Sequence, residues 1–279
     1  MTKPVKSPLR YPGGKSKALG TILPLIPTFK EFREPFLGGG SVLLALLQKN
    51  PHASYWGNDL NRDVYSFWKA LRDDGESLIS EVQAVYDSAK RKKSGSALHR
   101  KLAAESPRSL LDRAVRFFVL NRITFSGTIE AGGFSQSAFE KRFTQSAIDR
   151  LFPVANLLSN TKFSNEDYEA ALLRPGKDVV IFLDPPYISA TKSRLYGKQG
   201  ILHTTFDHER LASLVKESKH KWMITYDDSD EVRRLFSFAN LHEWTLQYGM
   251  NNFRQATAAA GKELIVTNFP VSSALKSHR

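Results

Sequence analysis

Residues 178–187 read DVVIFLDPPY. Five consecutive apolar residues, three of them β-branched, predict a short buried strand. Asp184 follows this run directly, so we expect it at the carboxyl end of the strand, the edge at which open α/β sheets bind ligands. The two prolines that come next fix the backbone and remove two N–H donors, which predicts a rigid loop rich in hydrogen-bond acceptors.

The same kind of pattern recurs towards both ends of the chain. Further strands are predicted in FREPF (32–36), ASYWGND (53–59), KWMITY (221–226) and KELIVTNF (262–269). Helices are predicted in SVLLALLQKN (41–50), NRDVYSFWKALRDD (61–74), DHERLASLVKES (207–218) and SDEVRRLFSF (229–238). Strands that alternate with helices indicate an α/β fold with a Rossmann-like, doubly wound, mainly parallel sheet.

The middle of the chain follows a different pattern. From about residue 76 to 150 the β signature disappears, and helical stretches alternate with the basic segment SAKRKKSGSALHRK (88–101) and the glycine-containing NRITFSGTIEAGGFSQSAFEKRF (121–143). We therefore predict a catalytic domain of residues 1–61 and 151–279 and a mainly helical insertion, 62–150, that acts in recognition. The basic run at 90–93 is either a phosphate contact or a solvated linker.

Composition limits the class of protein. The chain has 279 residues, 41% of them hydrophobic, a net charge of +12 and an isoelectric point near 9.8. This charge favours a polyanionic partner, nucleic acid above all. The chain has no cysteine and no apolar run of the roughly 18 residues that a membrane helix needs. We expect a cytosolic protein that does not enter the membrane.

A glycine loop indicates a cofactor site. In EPFLGGGS (34–41), Gly38 to Gly40 stand between a predicted strand and a helix, where missing side chains let a ligand approach the backbone. Asp59 follows the next strand at nearly the spacing of an acid that binds ribose hydroxyls. The loop is not G-x-G-x-x-G, which disfavours a nicotinamide dinucleotide. LRYPGGKSK (9–17) has Leu9 where a phosphate-binding loop needs its first glycine, which disfavours a P-loop nucleoside triphosphatase.

The Asp-Pro-Pro-Tyr loop suits chemistry on an amino group. Asp184 and the carbonyl of Pro185 can both accept hydrogen bonds from one exocyclic amino group, and Tyr187 offers a ring on which a base can stack. Such an amino group is a poor nucleophile, because its lone pair is delocalised into the base. Two acceptors favour a tetrahedral nitrogen and stabilise the charge that develops during attack on a methyl group. No metal and no covalent nucleophile are needed.

These motifs, in this order, resemble the Dam-type (alpha-group) adenine-specific DNA methyltransferases. The resemblance implies methyl transfer from S-adenosyl-L-methionine to the amino nitrogen of an adenine that is flipped out of double-stranded DNA. It implies a catalytic motif at Asp184, Pro185, Pro186 and Tyr187. It also implies cofactor contacts by Tyr11, Lys15, Phe36, Gly38, Gly40, Asp59, Asp167, Tyr168 and Asp184.

The resemblance extends to DNA recognition. NRITFSG (121–127) is similar to the start of the family's recognition hairpin, and HTTFDHERLA (203–212) to the segment that closes over the flipped base. The implied DNA contacts are Asn121, Arg122, Gly127, Gln136, Lys141 and Arg142. Beyond Gly127 the chain lacks the Arg-Tyr-Asn run of enzymes that read GATC, so the methylated word is not assigned. An RNA base methyltransferase and a catalytically silent DNA-binding relative are the alternatives. A partner restriction enzyme and the oligomeric state stay open.

Overall fold

The computed structural model describes residues 4–129, 132–188, 206–247 and 260–271. Within these ranges the strands form one seven-stranded sheet in the order β3-β2-β1-β4-β5-β7-β6. The strands are β1 Glu31–Glu34, β2 Ser54–Asn58, β3 Thr161–Ser164, β4 Val179–Leu183, β5 Lys221–Asp227, β6 Asn240–Gln247 and β7 Ala260–Thr267. The first five run parallel, and β7 is antiparallel to both of its neighbours. The predicted mainly parallel, Rossmann-like sheet is confirmed, whereas β3 and β6 had no counterpart among the strands predicted above.

Helices cover both faces of the sheet. They are α1 Leu19–Ile22, α2 Ser41–Lys49, α3 Arg62–Asp73, α4 Gly75–Arg91, α5 Gly95–Ala104, α6 Leu110–Ile123, α7 Gln136–Lys141, α8 Gln145–Asp149, α9 Leu151–Leu157, α10 Tyr168–Leu173, α11 His208–Glu217 and α12 Asp230–Leu235. Short 3₁₀ turns lie at Lys15–Lys17, Leu23–Leu25 and Phe125–Gly127. None of the described helices is long and apolar enough to cross a membrane.

Strand β4 divides its side chains between two cores. Val180 and Phe182 belong to the core on the face covered by α2 and the helices of 62–150, while Ile181 and Leu183 belong to the core beneath α10, α11 and α12. This alternation follows from the two-residue repeat of a strand. All four side chains are buried, and burial of each contributes about 1.5–3 kcal/mol. The position of Asp184, one residue beyond the strand, is fixed by this packing.

The helices of 62–150 share the first core with the sheet. Phe67 of α3 stacks on Phe118 of α6 at a ring-centroid distance of 5.8 Å, and both belong to the same buried cluster as Phe182. Trp68 donates its indole N–H to the carbonyl oxygen of Gly38 at 2.9 Å. The predicted boundary between residues 61 and 62 therefore runs through a continuous core, and the division into two domains stays a prediction.

The strand order creates the crevice in which the site lies. Strand β1 pairs with β2 on one side and with β4 on the other. The chain thus reverses its direction of winding between β1 and β4, and the loops after these two strands diverge at their carboxyl ends. In open α/β sheets this switch point is where ligands bind. The glycine loop follows β1 and the Asp-Pro-Pro-Tyr loop follows β4.

Candidate active site

Tyr11, the glycine loop and Asp59 come together at the end of β1. Gly38 and Gly40 have φ angles of +44° and +61°, which favour glycine. A Cβ on Gly38 would lie 2.6 Å from the ring of Tyr11, so the absence of a side chain lets that ring pack on the loop. The carboxylate of Asp59 accepts hydrogen bonds from the N–H of Gly38 at 2.8 Å and of Asn61 at 2.9 Å. Burial raises the pKa of Asp59 to about 6 despite these two bonds.

Three aromatic rings form the neighbouring wall of the crevice. Phe36 lies 5.3 Å from Tyr168 and 5.7 Å from Phe206, and Tyr168 lies 5.7 Å from Phe206. The family resemblance implied cofactor contacts by Phe36 and Tyr168, and the structure brings these two rings together. In HTTFDHERLA, predicted to close over the flipped base, residues 203–205 lie outside the described part of the chain. Phe206 of that segment packs against Phe36 and Tyr168, which are both predicted cofactor contacts.

Asp167 is held by an arginine that the sequence interpretation did not single out. Its side chain caps α10 by accepting from the N–H of Glu169 at 2.9 Å. Both of its oxygens also accept from Arg210 of α11, at 3.0 and 3.1 Å. Burial raises the pKa of Asp167, but the hydrogen bonds from Arg210 and from the backbone outweigh burial and leave it lowered. Asp167 thus remains a carboxylate beside Tyr168.

Asp184 and Lys15 form a buried ion pair. The ammonium of Lys15 contacts the two carboxylate oxygens of Asp184 at 2.6 and 2.8 Å and donates to the carbonyl of Gly13 at 3.1 Å. Only 4% of Lys15 is exposed, and its Nζ lies 5.0 Å from the centroid of the Tyr187 ring. The hydroxyl of Thr225 on β5 donates to Asp184 at 2.8 Å. Lys15, predicted as a cofactor contact, therefore lies at the Asp-Pro-Pro-Tyr loop.

A second buried acid lies behind Tyr187. The phenol of Tyr187 donates to Oε2 of Glu263 on β7 at 3.2 Å, and Glu263 is 1% exposed. The pKa of Glu263 is raised to about 7, chiefly by burial; the positive charge of Lys15 opposes this shift and the negative charge of Asp184 adds to it. Sequence reasoning missed both Thr225 and Glu263. The available signal for Glu263 was an acid followed directly by an apolar run in KELIVTNF (262–269).

Two of the predicted DNA contacts are part of the framework. The side-chain amide of Asn121 pairs with the backbone of Arg10, accepting from its N–H at 2.9 Å and donating to its carbonyl at 2.8 Å. Gly127 has a φ of +77°, and a Cβ there would clash with the carbonyl of Arg10. Asn121 and Gly127 are both buried. Both residues join the N-terminal motif to the recognition segment through Arg10, and their assignment as DNA contacts stays a prediction.

The remaining predicted DNA contacts differ in exposure. Arg122 is 4% exposed, and its Nε has no hydrogen-bond partner in the described part of the chain. Burial, together with the charges of Arg150, Arg10 and Arg142, lowers the pKa of Arg122 to about 9. The other three are exposed and lie on or next to α7, namely Gln136, Lys141 and Arg142. Among the described residues of the predicted hairpin, which exclude 130–131, Thr124 and Phe134 form an antiparallel bridge.

The basic run at 90–93 is not uniform. Lys90 donates to the carbonyl of Phe139 at 2.5 Å, and its Nζ lies 4.3 Å from the centroid of that ring. Tyr86 and Phe143 enclose the same ammonium at 5.6 and 5.9 Å. Cation–π contacts of this kind stabilise the packing of α7 on α4. For Lys90, which lies within α4, the solvated linker is therefore wrong. A phosphate contact by the basic run stays a prediction, and Lys92 is exposed.

The geometry supplies two adjoining sites at one sheet edge. One has a glycine loop, a carboxylate and aromatic rings; the other has a paired aspartate and a tyrosine. Comparison with known proteins agrees with this arrangement. A "DNA adenine methylase" of Vibrio cholerae is 26% identical over 244 residues, covering 84% of this chain and 86% of that protein. The "Type II methyltransferase M.MjaIII" of Methanocaldococcus jannaschii is 26% identical over 212 residues, covering 68% and 71%.

A "DNA N-6-adenine-methyltransferase" of Escherichia phage P1 is also 26% identical, over 239 residues. The match covers 83% of this chain but 31% of the phage protein, so the chain spans about a third of that relative. The family match extends over residues 11–250, which include every predicted site residue but not Glu263. The chain therefore belongs to the D12 class N6 adenine-specific DNA methyltransferase family and is an adenine-specific DNA methyltransferase.

Proposed function

We propose that this methyltransferase moves a methyl group from S-adenosyl-L-methionine to the exocyclic amino nitrogen of an adenine that is flipped out of double-stranded DNA. One observation carries the proposal. The Asp-Pro-Pro-Tyr loop starts at the carboxyl end of β4, next to the glycine loop after β1, at the switch point of the sheet. A base can reach Asp184 there only after it leaves the helical stack, which costs a few kcal/mol.

The residues at the end of β1 fit the cofactor. The carboxylate of Asp59 suits a ribose diol, and the rings of Phe36 and Tyr168 suit the faces of an adenine. Asp167, held as a carboxylate by Arg210, would accept from an adenine amino group. When bound, S-adenosyl-L-methionine would supply the methyl group from a positively charged sulfonium, which makes the methyl carbon electrophilic.

The residues at the end of β4 would hold the adenine whose amino group receives the methyl group. A carboxylate has about four lone-pair positions, so Asp184 can accept from a substrate amino group in addition to Lys15 and Thr225. The hydrogen bonds from Lys15 and Thr225 fix the orientation of this carboxylate before the base arrives. Such preorganisation stabilises the positive charge that develops on the amino nitrogen. Tyr187, whose ring lies over Lys15, is placed to stack on the base.

Replacement of Asp184 tests the proposal. Asp184→Ala should reduce single-turnover methyl transfer to duplex DNA by about 10²-fold or more, as expected for loss of electrostatic stabilisation. Asp184→Asn should be nearly as damaging, because an amide has no negative charge and presents a donor. Calorimetric titration should show that S-adenosyl-L-methionine still binds to both variants. Asp178→Asn is a matched control, since Asp178 is an exposed residue at the opposite end of β4. Near-native transfer by Asp184→Ala would remove Asp184 from the mechanism.

The substrate and the biological setting need separate tests. Transfer of labelled methyl to a DNA duplex, and not to an RNA duplex of the same sequence, is expected; the reverse would favour an RNA base methyltransferase. The name of the Methanocaldococcus jannaschii relative, a Type II methyltransferase, supports a role beside a restriction enzyme. Sequencing that detects modified bases, on DNA from cells expressing this chain, would give the methylated word. A nuclease encoded nearby that cleaves the same word would support such a pairing.

A further inference from the structure

A chain of hydrogen-bonding side chains connects Asp184 to Glu263. Thr225 donates to Asp184 at 2.8 Å, and its hydroxyl also acts on the phenol of Tyr187, whose pKa it lowers against the larger effect of burial. Tyr187 in turn donates to Glu263 at 3.2 Å. The sheet register explains why these groups meet. Thr225 and Asp227 of β5 point to one face, and Asp227 lies opposite Glu263 in the antiparallel pair with β7.

We propose that Glu263 is the terminal acceptor of the proton that the adenine amino group loses on methylation, reached from Asp184 through Thr225 and Tyr187. The proposal rests on the function proposed above, because it assigns the first proton transfer to Asp184. Glu263 does not touch the base, so it acts through other residues rather than as a catalytic residue.

The proton balance is complete within these groups. When the amino nitrogen forms its bond to the methyl carbon, the carbon–sulfur bond of the methyl donor breaks and its electron pair stays on sulfur. The nitrogen then carries a positive charge and one proton to lose, and this proton passes to the carboxylate of Asp184. Protonated Asp184 then donates to the oxygen of Thr225, whose hydroxyl hydrogen turns towards Tyr187. The hydrogen of Thr225 passes to the phenol oxygen, and the phenol hydrogen passes to Glu263. Asp184 ends as a carboxylate, Thr225 and Tyr187 end as they began, and Glu263 ends protonated.

The surroundings of Glu263 suit this role. The charged and titratable groups that act on it are Lys15, Asp184, Asp227 and Tyr187. Its Oε1 is buried without a hydrogen-bond partner in the described part of the chain. An unpartnered buried carboxylate oxygen disfavours the ionised form, so Glu263 gains from taking up a proton. With its pKa raised to about 7 by burial, it is also matched to transfer near neutral pH.

The test is the pH dependence of single-turnover methyl transfer to duplex DNA with saturating cofactor. The wild-type rate should fall as pH drops below about 7, because Glu263 is then already protonated. Glu263→Gln should be slower by about 10²-fold above that pH and should lack this fall. The methyl-transfer rate of Thr225→Val should fall by a similar factor, whereas Thr225→Ser retains the hydroxyl and should keep the wild-type rate. The double variant Thr225→Val/Glu263→Gln should be no slower than either single variant.

A second measurement does not depend on activity. In the cofactor-free protein, Glu34 and Asp59 also give infrared carbonyl bands of protonated carboxyl groups, so the measurement is the difference between the wild type and Glu263→Gln. This difference should contain the band of one carboxyl group that titrates near pH 7. Glu243→Gln, an exposed acid on β6, is the control and should keep the band.

The outcomes separate the relay from the function on which it rests. Glu263→Gln with the wild-type rate and pH profile would mean that the proton leaves Asp184 without Glu263. A slow Glu263→Gln that keeps the fall below pH 7 would mean that Glu263 only orients Tyr187, which also overturns the relay. Methyl transfer that survives Asp184→Ala would instead overturn the proposed function itself.

Discussion

At the scale of single residues, the buried carboxylates determine how the site responds to pH. Asp59 accepts two backbone N–H bonds, yet burial holds its pKa near 6. Glu34, which accepts from the N–H of Leu43 at the start of α2, has its pKa raised well above the usual range, chiefly by burial. Each acid therefore binds protons in the folded protein at a pH where it is ionised in the unfolded chain.

We expect Asp59→Ala to weaken S-adenosyl-L-methionine binding. Loss of hydrogen bonds to a charged group costs roughly 1.5–3 kcal/mol, which corresponds to about 10- to 150-fold in Kd. Calorimetric titration should show this loss in cofactor affinity and no change in DNA affinity. In the wild type, cofactor affinity should fall as pH drops through about 6, where Asp59 becomes protonated, and the variant should lack this dependence. Unchanged cofactor binding by Asp59→Ala would refute the ribose assignment.

Glu263 should impose a pH-dependent cost on folding. Its folded pKa of about 7 lies above the ordinary value of about 4.3, so the folded protein binds more protons between these values. The free energy of unfolding should therefore fall as pH rises through this window, by at most about 4 kcal/mol. Glu263→Gln cannot titrate and should gain stability relative to the wild type over the same range. Urea denaturation at several pH values measures the difference, and parallel curves for the two proteins would contradict it.

At the scale of elements, the sequence predicted best where the local pattern and the tertiary environment agree. Strand β4 is buried on both faces, so its five consecutive apolar residues were enough to locate it and to predict Asp184 at its end. Strands β3 and β6 were missed because they lie at the two edges of the sheet, where the polar residues of TKFS and NLHEWTLQ interrupt the pattern. The frameworks around Asn121 and Lys90 depend on contacts with segments distant in sequence, which no local pattern contains.

The exposed residues on or next to α7, Gln136, Lys141 and Arg142, should determine which DNA word is methylated. Substitution of Arg142, Lys141 or Gln136 by alanine, one at a time, should broaden the set of methylated words in at least one case. An arginine that contacts a guanine edge discriminates by roughly 1–3 kcal/mol, whereas a phosphate contact does not discriminate between sequences. Sequencing of modified bases in DNA methylated by each variant measures the effect.

Lys92→Ala is the control for this experiment, because Lys92 belongs to the basic run, is exposed and is not part of α7. It should leave the methylated word unchanged, and any loss of binding should be the same for all duplexes and should flatten the salt dependence. If the three α7 variants keep the parental word while a substitution outside 62–150 alters it, recognition lies elsewhere.

At the scale of the whole molecule, the site depends on one core that joins the sheet to the helices of 62–150. Phe67, Phe118 and Phe182 belong to the same buried cluster, and Trp68 supports the glycine loop directly. The change from α/β alternation to helices was visible in the sequence, but whether these helices pack on the sheet was not. A composition shift marks a change in secondary structure, and it does not show where the hydrophobic core ends.

Phe118→Ala should therefore destabilise the sheet as well as the helices. Removal of a fully buried phenylalanine costs about 3–5 kcal/mol. If the core unfolds as one unit, amide hydrogen exchange should speed up by the same free energy in α6 and in β4, whose slowest amides report global unfolding. Phe152→Ala is the matched control, because Phe152 on α9 is 57% exposed, and it should change exchange little in either element. Loss of protection in α3 to α6 alone, with β4 unchanged, would show instead that residues 62–150 unfold as a separate domain, as the sequence pattern first predicted.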